Sequence, residues 1–206
     1  MHSAMSRYPS CLHPPLFSSQ ISSYSSLAGA LKTESPRTLD FNNPRRRRIP
    51  QYKGGASCGH ATLSPPILFD HFGALGQGVR VQHFIILSTN ALLKEIGGAE
   101  DQILTGLKAN HILLKMNWQG YECLNWVRSV PVSQSICRAQ LGARIVMVFW
   151  EYLQDVQDSR LPNPGWMKEF GMVNFDQVVL IGLYNIYDNV WQADLALDIP
   201  LESSSP

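Results

Sequence analysis

Three histidines lie beside apolar stretches of the sequence, and histidine is the side chain best suited to accept or donate a proton near neutral pH. They are His71 in "FDHFG", His83 in "VQHFI" and His111 in "ANHILL". A lone histidine beside an apolar run is more often structural than catalytic, so the sequence favours a structural role for each. Asp70 and Glu122 are possible general acids, although their spacing supports no catalytic pair.

The chain has four cysteines, and no two of them have C-x-x-C spacing. A redox dithiol needs a reactive thiolate with a resolving partner beside it, so we expect reduced thiols. Cys123 and Cys137 are expected to pack as small hydrophobic residues. Cys58 and His60, in "CGH", are metal-ligating types, but two ligands in a glycine-rich segment do not make a metal site. The sequence therefore predicts neither a metal nor a cofactor.

Residues 1–60 are rich in Ser, Pro and Gly and show neither helical nor strand periodicity. Such a segment buries too little apolar surface to offset its ordering entropy, so we predict a disordered tail. A helical domain is expected over 61–201, followed by a short tail over 202–206. The run Arg45–Arg48 is interpreted as a solvated charge run, because no aromatic residues interleave for base stacking. No nucleic-acid partner is expected.

The overall composition is poor in charge, with 16% charged residues and a net charge of +1. Soluble domains average about 25% charged residues, so part of the surface is expected to be covered by another subunit. The longest apolar run, "IVMVFW", is too short to span a bilayer, and no membrane partner is expected. Without a clean signal peptide, a cytoplasmic location is predicted. A mitochondrial one is the alternative, because the start is serine-rich and acid-poor.

The sequence beyond residue 60 is dominated by apolar residues at helical spacing. Helices are predicted from Ser64 onward, over Leu87 to Ile96, over Ala99 to Leu114, over Gln140 to Val156 and over Pro164 to Phe170. Few segments alternate with period two, so strands are not expected and the predicted fold class is all-α.

The segment from Asn174 to Pro200, "NFDQVVLIGLYNIYDNVWQADLALDIP", is predicted to be the last helix. Its first half is apolar on nearly every side, which indicates a helix buried all round. Helical spacing would place Tyr184, Tyr187 and Trp191 on one buried stripe.

The phrases "VFWEYLQDV", "GWMKEFG" and "FDQVVLIGLYNIYDNVWQADLALDIPLE" resemble the C-terminal half of the carboxymuconolactone decarboxylase family, in the alkylhydroperoxidase D-like superfamily. "LSPPILFDHFGALGQGVR" and "NALLKEIGGAEDQI" resemble its earlier helix and the phrase after its catalytic motif. The resemblance implies an all-α bundle that assembles into homo-oligomers, trimers or larger. It also implies decarboxylation, lactone or hydroperoxide chemistry on a small organic substrate by proton transfer.

The catalytic motif of that family is degenerate in this chain. The resemblance places Asn90 at the family's histidine, with Ile86 and Leu87 at its Glu and Trp. Asparagine can orient a carbonyl group but is not a base at neutral pH. His83 lies near enough to replace the base, so His83 and Asn90 are the candidate catalytic residues. The alternative is an inactive paralogue that acts as an oligomer subunit or binding module.

Overall fold

The computed structural model describes residues 40–52 and 64–199, which form a sheet packed against one long helix. The strands are β1 (Arg46–Arg48), β2 (Ile67–Leu68), β3 (Val79–Arg80), β4 (His111–Lys115), β5 (Val127–Pro131), β6 (Val178–Tyr187) and β7 (Val190–Asp198). The helices are α1 (His83–Ile86), α2 (Thr89–Glu95), α3 (Arg138–Asp158) and α4 (Met167–Phe170), with 3-10 turns at Glu122–Leu124 and Phe175–Gln177. No helix within these ranges is long and apolar enough to cross a membrane.

The predicted all-α fold class is wrong, because the protein is a mixed α/β structure built on a seven-stranded sheet. The strand order is β2-β6-β7-β4-β5, with β1 added to β7 and β3 added to β6. Strand β4 runs parallel to β7, and the other named pairs are antiparallel. Strands β2 and β3 both pair with β6, which brings the segments that follow them close together.

The predicted last helix is instead the β6–β7 hairpin at the centre of the sheet. Asp188 takes a left-handed backbone (φ 43°) between the strands, a conformation that Asp and Asn tolerate better than most residues. A short, continuous apolar run fits a strand buried on both faces as well as a helix buried all round. Trp191 is buried but Tyr187 is exposed, so the predicted aromatic stripe is also wrong.

The other helix predictions were partly confirmed. Helix α3 contains the predicted Gln140 to Val156, and α2 lies within the predicted Leu87 to Ile96. The helix predicted over Ala99 to Leu114 is wrong, because its end belongs to β4, in which Ile112 and Leu114 are buried in alternation. The helix predicted from Ser64 onward is replaced by β2, a glycine-rich loop, β3 and α1.

The core beneath the sheet is rich in aromatic rings contributed by α3 and the loops around it. The ring of Trp118 lies edge-on to Tyr152 at 5.0 Å and tilted to Phe149 at 6.0 Å, and all three side chains are buried. Burial raises the pKa of the Tyr152 hydroxyl, so Tyr152 stays neutral. The first six residues of β6 are likewise buried within this chain, so their apolar character gives no reason to expect another subunit over them.

Residues 40–52 lie inside the segment expected to be a disordered tail, yet they pack on the sheet. Arg46 pairs with Asp198 across β1 and β7, and Ile49 is buried in the core. Arg46 and Arg48 form ion pairs with Asp198 and Asp194, so they are not a solvated charge run. The rest of the predicted tail, 1–39 and 53–60, falls outside the described residues, as does 202–206.

Candidate metal centre

Two histidines and a glutamate converge at one end of the sheet. His71, His83 and Glu95 each offer one possible ligand atom. These three atoms all lie within 4.8 Å of one another. The Nδ1 atom of His71 is 3.4 Å from Oε2 of Glu95. The rings of His71 and His83 are 5.2 Å apart between centroids and inclined at 71°. These three residue types are common ligands of transition-metal ions.

Backbone hydrogen bonds hold His71 next to Glu95. His71 follows β2 and forms an isolated bridge with Ile96, just past the end of α2. The N–H of Phe72 donates to the carbonyl of Glu95 at 2.8 Å. Helix α2 starts behind Ser88, whose hydroxyl accepts the N–H of Ala91, so its last residue, Glu95, has a fixed place.

The buried carboxylate of Asp70 shapes the loop between β2 and β3. It accepts the N–H of Gly76 at 2.9 Å and of Gly78 at 2.6 Å. Gly78 has φ +77° and lies so close to β6 that a Cβ would come within 2.5 Å of Ile181. Glycine is therefore required there. Asp70 therefore fixes the loop that forms one wall of the site. This is a structural role, whereas from the sequence Asp70 was considered as a general acid.

His83 is placed by β3 and α3. The N–H of Val81, just past β3, donates to the carbonyl of Val178, and α1 begins at His83. The next residue, Phe84, packs its ring against Gly142 of α3. Burial lowers the pKa of His83 below 6.5, and His71 adds to the effect while Glu95 opposes it. The imidazole is therefore neutral at pH 7, as a metal ligand must be.

The Nδ1 atom of His83 is buried, and no described residue forms a hydrogen bond with it. Buried polar atoms in folded proteins almost always have a partner, so this nitrogen needs an explanation. It is one of five such atoms among the described residues, and a bound water, metal ion or ligand would supply its partner.

A pocket of about 280 Å³ opens beside the two histidines. Arg46, Gln77, Gly78 and Arg80 complete its lining. Arg46 and Arg80 both bind Asp198, at 2.7 Å and 3.1 Å. Burial alone would raise the pKa of Asp198, but the two arginines outweigh it and hold that pKa below its ordinary value. The pocket wall is therefore charged at neutral pH.

Of the two predicted catalytic residues, His83 lines the pocket, whereas Asn90 is exposed on α2 and does not line it. The candidate centre combines His83 with His71, which the sequence favoured as structural, and with Glu95, which it did not single out. These three residues come from separate elements, so no local motif marks them.

The remaining candidates lie elsewhere or outside the described residues. His111 is on β4 with Nδ1 2.9 Å from the side-chain oxygen of Asn110. Cys123 is exposed, Cys137 is half-buried ahead of α3, and both are free thiols. Cys58 and His60 fall in a range that the structure does not describe.

Comparison with protein-family models, curated proteins and solved structures finds no match for this chain. The resemblance to the carboxymuconolactone decarboxylase family is therefore neither supported nor contradicted by them, although the all-α fold that it implied is wrong. Function is inferred from the geometry of the metal centre and its pocket.

Proposed function

We propose that the protein is a metal-dependent enzyme that binds one divalent transition-metal ion, of the zinc or iron(II) type, through His71, His83 and Glu95. The observation that carries this proposal is the convergence of their ligand atoms within 4.8 Å. In a tetrahedral site with bonds of about 2.0–2.1 Å, ligand atoms lie about 3.3 Å apart. The His71–Glu95 distance of 3.4 Å already matches this spacing, and the ligand atom of His83 lies within 4.8 Å of both.

A simple ion pair explains less of the site than a metal does. Protonated His71 beside Glu95 would form an ordinary partly exposed pair, of low value to stability. It would leave the buried Nδ1 of His83 without a partner and place a second imidazole against a cation. A metal ion uses both imidazoles in their neutral form together with the carboxylate.

Among the described residues three protein ligands converge, and this number favours catalysis over a purely structural role. Structural zinc sites use four protein ligands, whereas catalytic sites use three and keep a position open. Both histidines line the pocket, so an open position would face a cavity that can admit a substrate. Such an ion activates water or polarises a substrate oxygen.

The test is metal binding by the full chain and its variants. Protein stripped with a chelator would be titrated with Zn²⁺ and Co²⁺ by calorimetry and by the visible spectrum of Co²⁺. We expect one ion per chain, and loss of at least about tenfold in affinity in His71→Ala, His83→Ala and Glu95→Gln. The matched control is His111→Ala, which removes a histidine from β4 and should leave binding unchanged.

A second control addresses the segment that the structure does not describe. The double variant Cys58→Ser with His60→Ala should bind the metal as the wild type does. If that variant loses the ion while Glu95→Gln keeps it, the centre is elsewhere and the proposal is wrong.

A second candidate function is the proton-transfer chemistry on a small organic substrate that the resemblance implied. It is favoured by the lowered pKa of His83, which makes this residue an available base at neutral pH beside a cationic pocket. Activity that survives complete chelation would support it over the metal-dependent mechanism. The expected homo-oligomer and cytoplasmic location stay predictions.

A further inference from the structure

The pocket next to the metal centre carries an excess of positive charge. Arg46 and Arg80 line it, and the carboxylate of Asp198 that they share neutralises only one of them. A divalent ion at the centre would add two charges, which Glu95 and the buried carboxylate of Asp70 behind the wall would offset, so the arginines leave the balance positive. A small cavity with this balance attracts an anion.

The two arginines differ in how many of their N–H donors the protein already uses. Arg46 gives Nε and Nη2 to the two oxygens of Asp198 and Nη1 to the carbonyl of Gln77. Its side chain is only 12% exposed, so Arg46 binds protein groups and is not the residue that would bind a ligand.

Arg80 is available. Its described hydrogen bond is the one from Nη2 to Asp198 at 3.1 Å, and its side chain is 49% exposed. A guanidinium carries five N–H donors in a planar fork, which suits the paired oxygens of a carboxylate or phosphate. The donors that Arg80 does not use within the described chain remain open to a ligand in the pocket.

We propose that this pocket binds a small organic oxyanion, whose carboxylate or phosphate group lies between the metal ion and the guanidinium of Arg80. This inference rests on the metal site proposed above and names the class of its substrate. The volume of about 280 Å³ suits a small metabolite, since pockets for drug-sized molecules begin at about 300 Å³. Arg80 and the ion would each hold one side of the anionic group and fix its orientation.

The experiment uses the full chain loaded with Co²⁺, whose visible spectrum reports a change in its ligands. Acetate, malonate and inorganic phosphate would be titrated separately at constant ionic strength. We expect saturable binding of at least one of them, with Arg80→Gln raising its Kd at least about tenfold. The Kd for Co²⁺ itself should change less than about threefold, because the exposed Arg80–Asp198 pair contributes little to the fold.

Arg128→Gln is the control, because Arg128 is a similarly exposed arginine paired with Asp155 on α3. Its anion Kd should equal that of the wild type. Binding of the carboxylates alone indicates a carboxylic acid substrate, and binding of phosphate alone indicates a phosphate ester. Equal anion affinity in the wild type and Arg80→Gln, or no saturable spectral change in the wild type, overturns the inference. Failure of Co²⁺ to bind before any anion is added contradicts the metal proposal itself.

Discussion

The Nδ1 atom of His71 lies 3.4 Å from Oε2 of Glu95, where the segment after β2 meets the end of α2. The backbone holds these two residues together through the bridge from His71 to Ile96 and the hydrogen bond from Phe72 to Glu95. His83 approaches from a third element, so a change in packing beneath any of the three should alter the centre. The substitution Gly142→Ala, beneath Phe84, tests this dependence.

The metal-free protein should lose stability as the pH falls through the titration of His83. Its pKa in the folded chain is below the ordinary 6.5, so the unfolded chain takes up the proton first as pH falls. Stability is therefore complete above about pH 6.5 and declines below it until the folded pKa is reached. Chemical denaturation in the presence of a chelator, from pH 7.5 to 5, would measure this decline.

His83→Gln should flatten the slope of stability against pH in that window, whereas His111→Gln should leave it unchanged. An unchanged slope in His83→Gln would show that another group is responsible. In the presence of Zn²⁺ the wild type should show a steeper decline, because protons then also displace the metal.

Gly142→Ala should weaken both the fold and the metal centre. A Cβ at Gly142 would lie 2.3 Å and 2.7 Å from two ring atoms of Phe84, the residue after His83. Alanine is a better helix former by about 1 kcal/mol, but overpacking costs about 1–3 kcal/mol, so we expect a net loss of stability. Displacing Phe84 should also shift His83 and lower the metal affinity, measured by calorimetry.

Gly106→Ala is the matched control, because nothing lies within 4 Å of the position that its Cβ would take. Its stability should equal or slightly exceed that of the wild type, since alanine restricts the unfolded chain. Normal metal affinity in Gly142→Ala would show that α1 can move without disturbing the centre.

Replacing Asp198 by Asn should remove an acid-sensitive part of the stability. The pKa of Asp198 is lowered by Arg46 and Arg80, so its contribution is present above about pH 4 and lost as pH falls through the folded pKa. At pH 7 the variant should lose about 2–3 kcal/mol, as expected for hydrogen bonds to charged groups. As the pH falls through the folded pKa the gap between the two proteins should narrow in urea denaturation, and a gap that stays constant down to the lowest pH would contradict the assignment.

The exposure of two aromatic residues distinguishes the β6–β7 hairpin from the helix predicted over the same segment. Trp191 is 1% exposed and Tyr187 is 66% exposed, although both would share one stripe of a helix. Trp191→Ala should therefore cost about 3–5 kcal/mol in unfolding free energy, while Tyr187→Ala should cost less than about 0.5 kcal/mol. Similar losses in both variants, measured in guanidinium, would favour the helix.

The sequence predicted the long amphipathic helix well and the buried strands poorly. Helix α3 was recognised because Ile145, Phe149 and Tyr152 recur at helical spacing on one buried face. Strands β6 and β7 are buried on both faces, so they show no period of two. The one local signal of a hairpin, Asp188 followed by Asn189 between two apolar runs, is a turn pair that the helix interpretation passed over.

The site was less predictable than the fold for a related reason. His83 was proposed as catalytic from sequence, whereas His71 was favoured as structural and Glu95 was not singled out. Both meet His83 only through strand pairing and a backbone bridge. Neighbours on one helix can be inferred from spacing, but ligands from three elements cannot. The arginine run was likewise misread, because its carboxylate partners lie on β7, at the far end of the described chain.

The pairing of β1 with β7 has a consequence for how the protein is made. Arg46 and Asp198 come from opposite ends of the described chain, and Asp198 holds in place the Arg46 side chain that lines the pocket. Chains emerge from the ribosome N-terminus first, at about 5–20 residues per second. His71, His83 and Glu95 are therefore all synthesised before the carboxylate that holds Arg46 exists. The pocket is completed only when β7 has been made and pairs with β1.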